Sequence, residues 1–171
     1  EKTNFPIGSG KTPEYATVGS AIMDLMGKEN QIPNHVPLAH KPIVAARYGY
    51  VKEGCKLNVD DLPPELAVAT RRDSKTGKVS NYSHVYKRLD RNKPSTTMVP
   101  GHNAFPIHPI LNRTLTAREA ARIQTFPDTH IFFGTRQEQC IQVGNAVPPK
   151  MAEPFLKKIR KYIENSEEVT P

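Results

Sequence analysis

Tryptophan is absent from this 171-residue chain and cysteine occurs only at Cys55 and Cys140. Two thiols without companions at metal-ligand spacing exclude a disulfide-built scaffold and a thiolate zinc site, and they fit a reducing cytosol. No apolar run approaches the length of a membrane span and no secretory leader opens the sequence, so the expectation is a cytoplasmic protein with no membrane partner. The patterns Asn81-Tyr82-Ser83 and Asn112-Arg113-Thr114 are then coincidental glycosylation sequons. Glycine is sparse at 10 residues, proline frequent at 16, and hydrophobic residues amount to 37%. Such a composition predicts an ordered chain of one domain, with a thin core and much irregular backbone.

What the chain has instead is positive charge in one place. The formal net charge is +7. Between Arg71 and Lys93 stand eight basic residues (Arg71, Arg72, Lys75, Lys78, Lys87, Arg88, Arg91, Lys93) against Asp73 and Asp90, so +6 of that excess falls in one segment. Clustered cations favour a polyanion, because each phosphate neutralised releases counterions. A solvated basic face is the competing reading of such a run.

Along the chain, residues 1–13 are polar and read as a flexible arm. Gly8-Ser9-Gly10-Lys11-Thr12 is similar to the end of a phosphate-binding loop, but Phe5 stands where its first glycine belongs and no strand precedes it. Val18, Ala21, Ile22, Leu25 and Met26 have helical spacing behind the N-cap candidate Thr17, with Gly27 as the stop. His35 and His40 lie in a proline-rich connector without metal-spaced partners and are expected to be solvated. Ile43–Val51 and Leu66–Thr70 read as strands, and Tyr82–Leu89 has β-like alternation, which would hold Arg71–Lys78 as a basic loop. Lys93–Pro109 reads as a loop with one short strand, Thr96–Val99.

Thr116-Ala117-Arg118-Glu119 is a capping box opening a helix that Phe126-Pro127 stops. Leu115, Ala120, Ile123 and Phe126 form its buried face, and Arg118 and Arg122 are placed to tie loops to the helix. An aromatic run, Ile131–Gly134, follows, and then a sharp Gly144-Asn145 turn into a second helix with proline at its start. Met151, Phe155, Ile159, Tyr162 and Ile163 make an apolar stripe there, opposed by Lys157, Lys158, Arg160 and Lys161, with Pro154 expected to kink the helix or mark its true beginning.

RTLTAREAARIQTFPD (Arg113–Asp128) resembles the ninth conserved block of bacterial DNA (cytosine-5) methyltransferases, and QVGNAVPP (Gln142–Pro149) resembles the tenth. TVGSAIMDL (Thr17–Leu25) is similar to the hinge helix after the eighth block, and YSHVYKRLDRNKPSTTMV (Tyr82–Val99) to the end of a target recognition domain. The resemblance implies an α+β fold: a small mixed domain of short strands and loops with a few helices, plus a C-terminal helix belonging to a Rossmann-like catalytic domain. It implies a flexible arm (1–16), a DNA-reading domain with its hinge helix (17–143), a turn and helix completing the catalytic domain (144–165), and a tail (166–171).

In that family the cysteine of a Pro-Cys pair attacks C6 of a flipped-out cytosine, and a methyl group passes from S-adenosylmethionine to C5. Cys55 follows Gly54 and Cys140 follows Gln139, and no Gly-rich cofactor loop follows an initial strand. The expectation is therefore the C-terminal half of such an enzyme, with no catalytic residue of its own and no activity alone. It would be an excised domain or the small subunit of a split enzyme. By position, Asn145, Ala146 and Val147 correspond to residues closing over the methionine end of S-adenosylmethionine, as one part of its site. Thr97 and Met98 correspond to a Thr-Leu type pair contacting backbone beside the flipped nucleotide, with Met replacing Leu. Arg71, Arg72, Lys75, Lys78, Ser80 and Asn81 fall in the variable DNA-reading part, while Thr116, Arg118, Glu119 and Arg122 organise it. The partners implied are duplex DNA and the N-terminal catalytic half, with self-association through the C-terminal helix when that half is missing. The alternative is a stand-alone, non-catalytic DNA-binding module derived from such an enzyme; a tRNA-directed relative is a distant third.

Overall fold

The computed structural model describes residues 16–68, 86–100 and 105–167. The expectations for the N-terminal arm, for Arg71, Arg72, Lys75, Lys78, Ser80 and Asn81, and for the last residues of the tail lie outside the described residues.

Local capping chemistry starts most of the helices. The Thr17 hydroxyl accepts the Ser20 N–H at 3.1 Å while the Ser20 hydroxyl accepts the Thr17 N–H at the same distance, opening α1, Val18–Ile22. A 3-10 turn, Met23–Leu25, extends it, and Gly27 at φ 77° ends the element in a conformation that costs glycine little. Thr116 and Glu119 make the same reciprocal bonds at the start of α3, Ala117–Ile123. A third box, Thr135 with Glu138, begins α4, Arg136–Asn145. Pro149 opens α5, Pro149–Glu167, which continues past Pro154 and beyond the expected end at Asn165.

Helix α2, Pro42–Gly49, occupies the segment expected to be a strand. Its β-branched and aromatic residues suit a strand, but the side chains drawn inward are Val44, Tyr48 and Val51, spaced four and three apart, while Ile43 and Tyr50 are exposed. Packing at helical spacing overrides local β preference here. Leu66 likewise closes a 3-10 turn, Pro64–Leu66, instead of opening a strand.

Among the described residues there is helix and loop but no strand. Three isolated bridges occur instead, Lys56 with Lys87, Arg88 with Ile107 and Ile107 with Thr114; of their residues only Lys87 and Arg88 fall in an expected strand, Tyr82–Leu89, and Thr96–Val99 forms no regular element. The Arg88 side chain does the work of a ladder. Arg88 is 4% exposed, and its guanidinium donates to the carbonyls of Tyr48, Val51, His108, Pro109 and Leu111 and to Asn112 Oδ1 at 2.6–3.5 Å. This five-donor fork ties the end of α2 (Tyr48, Val51) to the 108–112 loop.

The main core joins α1, α3 and α4 through Val18, Ile22, Leu25, Met98, Phe105, Leu115, Ala120, Phe132, Cys140 and Val143. A smaller one gathers Tyr48, Val51 and Ile107. His35 is fully buried between Leu25 and the α3 cap, contrary to the solvated placement expected. Its Nε2 bonds the Leu25 carbonyl at 3.1 Å and its Nδ1 the Thr116 hydroxyl at 2.8 Å. With both ring nitrogens satisfied, the polar ring is tolerated inside. His40 is half-buried against Thr114, and burial lowers its pKa.

Candidate functional site: a groove at the turn between two helices

Helix α3 is anchored by charge on three sides. Glu119 is fully buried; burial alone would raise its pKa, but two bonds from Arg113 at 2.8 Å and one from the Thr116 N–H hold it below the usual range. Arg113 also reaches Glu29 at 3.2 Å. Arg118, fully buried, donates to the carbonyls of Pro33, Pro127 and His130 and to Asn34 Oδ1 at 2.6–3.3 Å. Arg122 joins Asp24 at 2.6 Å to Asp128 at 2.5 Å, tying the end of α1 to the loop after α3.

Helix α4 had no counterpart in the sequence reading, which placed an aromatic loop and then a sharp turn over these residues. Gly144 and Asn145 are its last residues. The turn proper is Ala146–Pro148, with Ala146 extended at ψ 147° before Pro149 restarts helix. The missed signal was Thr135-x-x-Glu138, obscured by low hydrophobic content and by Gly144 inside the helix.

Gly144 has a tertiary reason. A Cβ built on it would lie 2.5 Å from Pro100 Cα and 2.6 Å from Pro100 N. The segment Thr96–Pro100 is thereby pressed onto the end of α4. Met98 is 6% exposed and belongs to the main core, so Thr97 is the outward member of the Thr97-Met98 pair. Asn145 and Val147 are exposed, Val147 at 62%, and Ala146 is half-buried.

These pieces meet in an open groove of about 950 Å³. Thr17 and Ser20 of α1, Thr96 and Thr97, Arg122 to Asp128, and Gly144, Ala146, Pro148 and Lys150 line it. Thr97 and Ala146, singled out separately in the sequence, share this one surface. Asn145 and Val147 flank Ala146 in the sequence and are exposed, but they are not among the lining residues. The groove lining contains no cysteine. Cys140 is fully buried, and burial pushes its thiol pKa up, a setting that suppresses thiolate chemistry; Cys55 is exposed.

The basic segment is partly spent on internal pairing. Of its described members, Arg88 is buried, Arg91 pairs with Glu53 at 2.8 Å and Lys93 with Asp90 at 3.2 Å. The charge count along the sequence therefore overstates what these three offer a polyanion. Among the described residues no helix is long and apolar enough to cross a membrane, and no group of three or more His, Cys, Asp or Glu is placed to hold a metal ion.

A profile of C-5 cytosine-specific DNA methylases matches residues 3–161. The chain is 36% identical over 140 residues to the type II methyltransferase M.DdeI of Desulfomicrobium norvegicum, covering 77% of this chain and 33% of that protein. It is 34% identical over 156 residues to the type II methyltransferase M1.HphI of Haemophilus parahaemolyticus, covering 89% of this chain and 38% of that one. With the type II methyltransferase M.AquIB of Picosynechococcus it shares 36% identity over 148 residues, covering 80% of this chain and 93% of the relative. The chain thus spans between 33% and 38% of the length of the first two and 93% of the third. A crystal structure of a protein assigned as a DNA modification methyltransferase, encoded within an E. coli prophage, superposes with TM-score 0.53 at 29% identity, covering 78% of this chain and 30% of that one. By sequence along almost its whole length and by the course of its backbone, the chain belongs to the C-5 cytosine-specific DNA methylase family.

Proposed function

We propose that this chain is the DNA-reading, C-terminal part of a type II DNA (cytosine-5) methyltransferase, and that it supplies one wall of the S-adenosylmethionine site. Residues 17–143 serve recognition, and the turn and helix from Gly144 complete a catalytic domain carried on other residues. The observation behind this reading is the shared groove, in which Thr97, the nucleotide-side residue, and Ala146, the cofactor-side residue, line one surface. The family acts on DNA and uses S-adenosylmethionine, which supplies the methyl group when bound.

The residues fit that cofactor as a single wall. Asn145 carries an exposed carboxamide able to bond an amino-acid carboxylate or ammonium group, and Ala146 and Val147 offer small apolar contact. Among the described residues the groove has one carboxylate, Asp128, already held by Arg122, so a ribose must find its partners elsewhere. Neither cysteine fits the nucleophile's role, since neither follows proline and Cys140 is sealed in the core. The nucleophile therefore comes from another segment or subunit. The 93% coverage of M.AquIB supports a functional unit of about this chain's extent.

Incubation with labelled S-adenosylmethionine and DNA tests the division of labour. The chain alone is expected to give background incorporation, and addition of the N-terminal half to restore it; robust methylation by the chain alone would overturn the proposal. Charge reversal at Arg71, Arg72, Lys75 and Lys78 is expected to weaken duplex binding and flatten its salt dependence. Unchanged affinity would remove the recognition role from that segment.

A further inference from the structure

Helix α3 ends in an unusual way. The Phe126 N–H bonds the Ala121 carbonyl at 2.9 Å and the Thr125 N–H bonds the Arg122 carbonyl at 2.9 Å, placing Thr125 just past the helix at φ 64°. This left-handed position ordinarily suits glycine, and a β-branched residue is a strained occupant. What threonine has and glycine lacks is a hydroxyl. Here Thr125 Oγ1 accepts the Lys150 N–H at 3.1 Å, one of the amides at the start of α5 that has no carbonyl partner within the helix.

The preceding residue reaches the other side of the same turn. Gln124 Nε2 donates to the carbonyl of Val143, near the end of α4. Gln124 and Thr125 therefore grip both flanks of the stretch from Gly144 to Pro149, one by the Val143 carbonyl and one by the Lys150 amide. Both residues also line the groove.

We infer that Thr125, together with Gln124, is a positioning residue for the Asn145–Val147 turn, setting it against the groove so that it meets the methionine end of S-adenosylmethionine. Strain retained at a backbone position points to a compensating role when the strained residue makes a contact its relaxed replacement cannot. The Thr125 hydroxyl on Lys150 is that contact. A plain helix cap would need only the hydroxyl at α5; the paired grip on α4 by Gln124 fixes the turn between them as well. This inference rests on reading the Asn145–Val147 turn as a cofactor wall.

The test uses the complete methyltransferase, this chain together with the polypeptide carrying the nucleophile, with initial rates measured against S-adenosylmethionine and against DNA. Thr125→Gly relieves the left-handed strain, so it is expected to fold with a melting temperature at or above wild type. Its KM for S-adenosylmethionine is expected to rise about ten-fold while kcat and the KM for DNA stay within about two-fold, the signature of lost ground-state binding. Thr125→Ser keeps the hydroxyl and should restore the wild-type KM, and Gln124→Ala should raise it. Asn145→Ala is the control for the underlying reading and should also raise it. If Asn145→Ala raises KM and Thr125→Gly does not, the positioning role is overturned and the cofactor wall stands. If neither does, the cofactor wall itself falls and the inference with it. A fall in melting temperature with equal losses in both KM values would show a merely structural cap and also overturn the inference.

Discussion

Gly144→Ala perturbs the junction between the Thr96–Pro100 segment and the end of α4. The added Cβ would stand 2.5 Å from Pro100 Cα, 2.6 Å from its nitrogen and 3.0 Å from its Cβ. All three atoms are backbone or ring, so no flexible side chain can swing clear. Ordinary carbon contacts lie near roughly 3.5–4.0 Å, so the two segments must part by roughly 1 Å. Overpacking of this kind costs ~1–3 kcal/mol. Alanine's better helix propensity offsets at most ~1 kcal/mol, and less in a final turn. The expected net destabilisation is therefore about 1–2 kcal/mol. Gly49→Ala is the matched control, since Gly49 ends α2 and its added Cβ would meet only Asn112 Nδ2 at 3.5 Å. Urea denaturation followed by circular dichroism, with unchanged m-values, reads both variants. If Gly144→Ala proves as stable as Gly49→Ala, the close approach does not hold these segments together and the groove geometry loses its support.

Three further outcomes follow from the buried polar groups and the last helix. Arg88→Met should cost about 3–5 kcal/mol in urea denaturation, because it strips the partner from several buried carbonyls; a loss under about 1 kcal/mol would refute the loop-gathering role. His108 is fully buried, and burial drives its pKa from 6.5 down to about 4, while its Nδ1 accepts the Ile110 and Leu111 N–H groups at 3.1 Å. The unfolded chain then takes up the proton first, so this stability is complete above pH 6.5 and is lost progressively as the pH falls towards 4, by on the order of 3 kcal/mol. Glu119, Asp24 and Asp128, held low in the fold, lose their contributions in the same direction on further acidification. His108→Asn, which keeps an acceptor near those amides, should flatten the slope between pH 6.5 and 4; an unchanged slope would assign it to other groups. Ile159, 55% exposed on α5, should govern self-association: Ile159→Asp is expected to lower the sedimentation-measured dimer fraction with the melting temperature unchanged. A wild-type chain that stays monomeric at all concentrations removes that expectation.

Signals confined to about four residues were legible in the sequence. The Thr17 and Thr116 starts, the Gly27 stop, the apolar face of α3 and Pro149 at the first position of α5 each depend on neighbouring backbone groups, and the structure has them there. The Thr135 box was equally local, yet it opens a polar helix whose apolar positions are few, so periodicity gave it no support. Helix α2 is hidden in the sequence for the opposite reason. Its residues are apolar on several sides, and only the facing surface of Ile107, Leu57 and Tyr86 selects which of them turn inward.

The amino-acid order by itself determined the helix boundaries set by caps and prolines, the clustering of positive charge, and the motif blocks that carry the family. Tertiary structure alone decided what the long-range polar side chains do. His35 bonds Thr116 across 81 positions, Arg118 reaches Pro33 across 85, and Arg88 gathers loops that are 20 to 40 positions away. Each burial is affordable only once distant carbonyls and hydroxyls converge on it, because an unpaired buried polar group costs more than the contact returns. The groove has the same origin. Thr97, Thr125 and Ala146 come together because Gly144 lets Pro100 approach and Gln124 and Thr125 hold the turn, and no local pattern in the sequence encodes that meeting.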